Sequence, residues 1–262
     1  MRPLPRNAIT SGKTAKGHTI MGGALPLVCV PLVGRDREST LSETKNLVNV
    51  EPDIIELRVD AWDCIEDSAK SVSLLTEIRG MVKELPIILT CRGHWEGGIK
   101  EVSEGAKDAL YKEAIDKRLV NYVDKELKYG PSKLSELKAH ANSNGVSLII
   151  SYHDFKGTPS VEFIYSKLVL EISYGADVAK IALMPQKEED VLSLLGSTLA
   201  IRRDFPDIPL ITMSMSELGM HSRLVGGLYG SDLTFAVGSA ASAPGQIPVA
   251  ELRGTFELLY GS

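Results

Sequence analysis

The chain has 262 residues, 44% hydrophobic and 24% charged, with 23 Gly and 13 Pro, which is ordinary globular usage and excludes disorder, collagen and a disulfide-stapled scaffold. Lys plus Arg number 29 and Asp plus Glu 34, a net charge of −5, so the electrostatic footprint of a general nucleic-acid binder or a polybasic membrane protein is missing. No apolar run reaches the roughly 18 residues that a membrane-spanning helix needs.

Residues 1–24 carry Arg2, Arg6, Lys13 and Lys16 and no acid. They lack the apolar stretch of a secretory signal, and Pro3 and Pro5 disfavour an amphipathic targeting helix. This segment reads as a tail or a short hairpin ahead of one domain over 25–262, where no linker or composition break appears.

Eight short apolar runs then recur: Leu27–Leu32, Ile54–Leu57, Ile87–Cys91, Leu119–Val123, Ser147–Ser151, Val178–Ala182, Leu210–Met213 and Leu233–Val237. Their length and β-branched content mark strands buried on both faces, as in a parallel sheet. Segments with helical spacing lie between them. Over Ser73–Val82, Leu74, Leu75, Ile78, Met81 and Val82 share one face. Val161, Ile164, Leu168 and Ile172 share another, with Thr158-Pro159 placed to cap that helix and supply its first-turn proline. Eight strands about 29 residues apart, each followed by a helix, predict an α/β fold of the single (β/α)8 TIM-barrel type. A doubly wound sheet shows fewer strands, and a dinucleotide-binding one carries a glycine fingerprint that is absent here. The three cysteines, Cys29, Cys64 and Cys91, form no C-x-x-C, and two lie inside apolar runs. That usage suits buried thiols in a reducing compartment.

A barrel of this kind builds its site at the carboxyl ends of the strands. Reactive residues gather there: Glu56, Arg58 and Asp60 after the second strand, Arg92 and Glu96 after the third, Asp124 and Glu126 after the fourth and His153 at the end of the fifth. Lys180 lies in the sixth, Arg223 follows the seventh, and Ser242 and Gln246 follow the eighth. Each has an ordinary structural reading when taken alone. Lys180 reads as a snorkelling rim lysine, His153 as a hydrogen-bonded structural donor, Glu56 with Arg58 as an ion pair, and Met213 and Met215 as core or pocket wall. Together they outnumber what packing requires, because burying an ion costs several kcal/mol unless it is paired.

Val178, Ala179, Ile181 and Ala182 give Lys180 an apolar sleeve, which disfavours an ammonium ion and suits Schiff-base chemistry on a ketone. His153, one strand away, is placed to take a proton from the carbon beside that ketone, with Glu96 or Asp124 orienting its ring. Arg58, Arg92 and Arg223 imply an anionic substrate, most simply a carboxylate. The stretch from Gly238 to Gly245 reads either as a phosphate-binding loop or as a lid bringing Ser242 and Gln246 to the substrate. A metal site is not indicated, since no HExxH occurs and no other histidine sits two or four residues from His153. A serine hydrolase is not indicated either, for want of a G-x-S-x-G. Two competing readings stay open on the residues alone: a Schiff-base aldolase acting on a sugar phosphate, and a ligand-binding pseudoenzyme.

Several segments, in order and spacing, resemble type I 3-dehydroquinate dehydratase (type I dehydroquinase). They are Glu56-Leu-Arg58-Val-Asp60, Arg92 through Glu96-Gly-Gly98, Ser151-Tyr-His153-Asp-Phe155 with Thr158-Pro159, Lys180-Ile-Ala-Leu-Met184-Pro-Gln186, Thr212-Met-Ser-Met215 and Ala241-Ser242-Ala-Pro-Gly-Gln246. The resemblance implies a (β/α)8 barrel that converts 3-dehydroquinate to 3-dehydroshikimate with no metal or cofactor. By the same resemblance Lys180 is the imine-forming lysine, His153 the general acid and base, and Glu96 the carboxylate that positions the histidine. Arg223 holds the substrate carboxylate, while Glu56, Arg58, Arg92, Ser242 and Gln246 are substrate contacts, the last two on a closing lid. It also implies a cytoplasmic homodimer serving chorismate and aromatic amino-acid biosynthesis through the shikimate pathway, with a small-molecule partner and neither nucleic acid nor membrane. Pro31 stands in the first strand where some members carry a hydroxyl residue.

Overall fold

Period-two alternation sends one set of side chains from every strand into the barrel and the other under the helices. The computed structural model describes residues 2–238 and 245–261. A hairpin of β1 (Ile9–Thr14) and β2 (Gly17–Met21) comes first, paired antiparallel. The barrel strands follow: β3 (Leu27–Leu32), β4 (Ile54–Arg58), β5 (Ile87–Thr90), β6 (Tyr122–Glu126), β7 (Ser147–Asp154), β8 (Val178–Leu183), β9 (Leu210–Ser214) and β10 (Leu233–Val237). They lie parallel, with β3 through β9 in chain order and β10 beside β3. A two-residue strand, β11 (Ile247–Pro248), adds to the other side of β10. The helices are α1 (Arg37–Asn46), α2 (Ser68–Val82), α3 (Glu104–Asp116), α4 (Gly130–Ser143), α5 (Val161–Ser173), α6 (Glu188–Asp204), α7 (Ser216–Tyr229) and α8 (Val249–Tyr260). This is the expected TIM-barrel architecture with its N-terminal hairpin.

The seam between β9 and β10 is bridged by side chains as well as main chain. The Asp232 N–H donates to the Leu210 carbonyl at 2.6 Å, and its carboxylate accepts the Leu210 N–H at 2.8 Å. Arg202 and Arg2 both pair with that buried carboxylate, so the extreme N-terminus is tied to the seam.

Inside the barrel, Leu27, Cys29, Ile54, Ile88, Tyr122, Ile149 and Val178 form an apolar lower half. Met21, from the hairpin, is fully buried in the same cluster, and the Tyr122 hydroxyl donates to Ser11 at 2.9 Å. The hairpin therefore stoppers the amino end of the barrel. Two residues further along the strands the inward positions become Glu56, Thr90, Asp124, Ser151 and Lys180, all buried.

Three local expectations are corrected. The fourth strand runs Tyr122–Glu126, three residues beyond the apolar run Leu119–Val123. Its last three residues are charged, and a search for apolar runs stops where partnered ions begin. Thr158-Pro159 does not cap α5; Ser160 does, accepting the Phe163 N–H at 3.3 Å, while the Thr158 hydroxyl donates to the Met184 carbonyl at 3.1 Å. The buried stripe of α5 is Ile164, Leu168 and Glu171, leaving Val161 exposed and Ile172 half-buried.

Candidate active site

Lys180 is 3% exposed at the centre of the carboxyl half of the barrel. Its Nζ lies 2.8 Å from Asp124 Oδ2 and 3.4 Å from Glu56 Oε1, with the Phe235 ring centroid at 4.7 Å. The apolar sleeve read from the sequence ends short of the amine, which sits in an ion pair rather than in hydrocarbon. The reason lies across the sheet: Asp124 and Glu56 come from β6 and β4 and reach Lys180 through the barrel interior.

Asp124 is fully surrounded. It accepts from Lys180, from Arg92 Nη2 at 2.9 Å and from the Ser151 hydroxyl at 2.6 Å. Burial alone would raise its carboxyl, but Arg92 and Lys180 outweigh that and hold it well below the usual carboxylate range. Arg92 Nη1 also reaches Glu126 Oε1 at 3.1 Å and Ser151 Oγ at 2.8 Å. Glu56 is fixed by the Thr90 hydroxyl at 2.8 Å.

A second group lies above the first. Glu96 ends a short 3-10 turn, His94–Glu96, which stops because Gly97 takes φ +83°; a Cβ there would meet the Phe155 ring at 2.4 Å. Oε2 of Glu96 accepts both the His153 main-chain N–H at 2.9 Å and Nδ1 of its ring at 3.1 Å. That bond selects the tautomer with hydrogen on Nδ1 and leaves the lone pair on Nε2. Burial, joined by Arg92 and Lys180, pushes the imidazole well below its usual range, so the neutral ring is the resting form. Burial also pushes the Glu96 carboxyl up to about 8, against the pull of Arg92. Of the two orienting groups that the sequence offered, the structure puts Glu96 against His153 and Asp124 against Lys180.

Arg58 makes a two-pronged pair with Asp60 at 3.0 and 2.9 Å. Asp60 further accepts the Arg92 and Ile99 N–H groups, at 3.2 and 2.9 Å, and so pins both ends of the loop that carries Glu96. Arg223, buried on α7, has Nη1 3.4 Å from Met213 Sδ, and burial lowers its guanidinium to about 10.

One cavity, with about 470 Å³ of empty space, brings these groups together. Lys180, His153, Glu96, Glu56, Arg58, Arg92, Arg223 and Gln246 line it, with Met213, Met215, Ala182 and Phe235 as its apolar wall. Ser242 lies outside the described residues, as does most of the expected lid. Among the described residues no three His, Cys, Asp or Glu side chains gather as a metal site would require. The sequence reading passed over Thr90, Ser151 and the anchoring role of Asp60. Counting back two residues from Arg92 and His153 would have found the first two on the same inward face.

An amine and a neutral imidazole over a floor of paired carboxylates, rimmed by arginines, suit carbonyl chemistry on a small anion. The family model for type I 3-dehydroquinase matches residues 28–262. The 3-dehydroquinate dehydratase of Aromatoleum aromaticum is 41% identical over 256 residues, 97% of this chain and 98% of its own. That of Klebsiella pneumoniae strain 342 is 41% identical over 251 residues, 96% of this chain and all of its own. Among solved structures, the 3-dehydroquinate dehydratase of Geobacillus kaustophilus superposes with a TM-score of 0.92 at 36% identity, covering 99% of this chain and 98% of that one. The type I enzyme of Clostridium difficile, solved with covalently modified comenic acid, gives 0.87 at 40% identity over 92% of this chain and 94% of that one.

Proposed function

We propose that this chain, which belongs to the type I 3-dehydroquinase family, dehydrates 3-dehydroquinate through an imine on Lys180. The observation that carries the reading is the pairing of Lys180 Nζ with Asp124 at 2.8 Å in the cavity that His153 also lines. Lys180 attacks the C3 ketone as the free amine, and an N–H proton moves to the new alkoxide. The carbinolamine loses water to give an iminium, which acidifies the neighbouring C2–H. His153 takes that proton on Nε2, and Glu96 steadies the ring as it becomes charged. The enamine electrons then expel the C1 hydroxyl, His153 returns its proton to the leaving oxygen, and water hydrolyses the imine to release 3-dehydroshikimate.

Arg223 takes the role of binding the substrate carboxylate in this scheme, with Glu56, Arg58, Arg92, Ser242 and Gln246 as further contacts. Family kinship is the support for these assignments, together with the position of the described ones on the cavity wall. The reading extends to a homodimer in the cytoplasm, which light scattering and fractionation test; support comes from family kinship and, for a reducing compartment, from unpaired cysteines, two of them buried.

Borohydride reduction in the presence of 3-dehydroquinate, followed by intact mass and peptide mapping, tests the imine. A ligand-sized adduct on Lys180 is expected. A folded, active enzyme with no adduct, or with the adduct elsewhere, would overturn the reading.

A further inference from the structure

A third buried acid touches the lysine from behind. Glu171, near the end of α5, is 0% exposed, and its companions on the buried stripe are Ile164 and Leu168. Its Oε2 accepts the main-chain N–H of Lys180 at 3.0 Å, and its Oε1 has no hydrogen-bond partner among the described residues. The main-chain carbonyl of Glu171 also accepts the Ala176 N–H at 3.2 Å. One residue therefore clasps both the turn out of α5 and the strand beyond it.

Packing alone does not account for an acid here. The other buried residues of α5, Ile164 and Leu168, are apolar, and a carboxyl buried with one side-chain hydrogen bond and an unpartnered Oε1 carries a cost that an apolar residue would not. Burial, together with Glu96 and Asp124, pushes the carboxyl well above its usual range. What the acid supplies that a leucine does not is an acceptor for the amide of the one residue whose side chain must reach the ketone.

We propose that Glu171 is a positioning residue: its bond to the Lys180 N–H fixes the lysine backbone in β8 so that Nζ arrives between Asp124 and Glu56. This rests on the imine reading of Lys180. Misplacing a reacting group by about 1 Å costs on the order of 100-fold in rate, which sets the scale of the effect.

The test compares Glu171→Gln, which keeps an acceptor of equal reach, with Glu171→Leu, which removes it, and Glu171→Asp, which draws it back by one methylene. Circular dichroism and thermal melting establish that each is folded. Turnover and single-turnover borohydride trapping of 3-dehydroquinate are then measured per folded molecule. Glu171→Gln is expected to stay within about 2-fold of the parent in both. Glu171→Leu and Glu171→Asp should lose about 10- to 100-fold in kcat and in trapping rate with KM within about 3-fold, because the arginines that hold the substrate are untouched. If Glu171→Leu does not fold, Glu171→Asp carries the comparison. Parental kcat and trapping rate in either acceptor-disrupting variant would overturn the proposal, as would a Glu171→Gln as damaged as Glu171→Leu. Failure of the parent itself to trap an adduct would remove the imine instead, so the two failures are told apart within one experiment.

Discussion

The two ends of the barrel interior are built by the same strands under the same alternation, yet they are opposite solvents. At the amino end Ile54, Ile88, Tyr122, Ile149 and Val178 close around Met21. Two residues along the same strands stand Glu56, Thr90, Asp124, Ser151 and Lys180, also buried. The apolar end holds the fold by excluding water. The ionic end is paired internally: Lys180 with two carboxylates, Arg92 with two, and Arg58 with one. A paired set of this kind adds little net stability over an apolar core. Its worth lies in holding charged groups ready where a substrate displaces little water.

If that division is right, the two ends break in different ways. The largest effect should come from Lys180→Ala, with turnover falling by at least about 10^4-fold, since among the described residues lining the cavity Lys180 alone offers an amine nucleophile. Circular dichroism should show an intact barrel; residual activity near the parent level would remove Lys180 from the reaction. His153→Ala should lose about 10^2- to 10^4-fold while still forming the imine. Mass spectrometry should then find a covalent adduct accumulating, and an adduct-free variant would move the base elsewhere.

Met21→Ala probes the opposite end. It should cost about 2–5 kcal/mol of stability by opening a cavity at the stopper, seen as a lower urea midpoint, with kcat within about 2-fold of the parent. A large fall in kcat at unchanged stability would mean that the two ends are not separable.

The smallest effect is a change in pH dependence. The Glu96 carboxyl is raised to about 8 in the fold, so stability is full below its unfolded value of about 4.3 and is lost as pH climbs through the folded one. Glu96→Gln keeps the acceptor for His153 but cannot ionise. The decline in stability between about pH 5 and 8 should flatten, read from urea titrations across that range. An unchanged slope would show that burial does not penalise this carboxylate.

The contrast between the ends also explains what the sequence disclosed. Strand length, β-branched content and spacing are local properties, so the barrel and the strand ends carrying His153, Lys180 and Arg92 were readable from the chain. The partners of an ion come from other strands and leave no local mark. For that reason the apolar neighbours of Lys180 pointed to a dry amine, while Asp124 and Glu56 reach it across the barrel. The same cause displaced the fourth strand by three residues, because its final residues Asp124, Lys125 and Glu126 are charged, and Arg92 and Lys180, the partners of the first and last, come from elsewhere in the barrel. Glu171 was hidden likewise, being one of two acids in a helix whose apolar spacing also fitted Ile172.

The imine itself is most directly tested by oxygen exchange. Turnover of 3-dehydroquinate in 18O-labelled water, quenched within the first cycles and compared with an enzyme-free control, should place label on the C3 ketone oxygen of every product molecule. The imine discards the original oxygen and hydrolysis supplies a new one. Product that keeps its unlabelled C3 oxygen at full turnover would mean that the ketone is never bonded to Lys180.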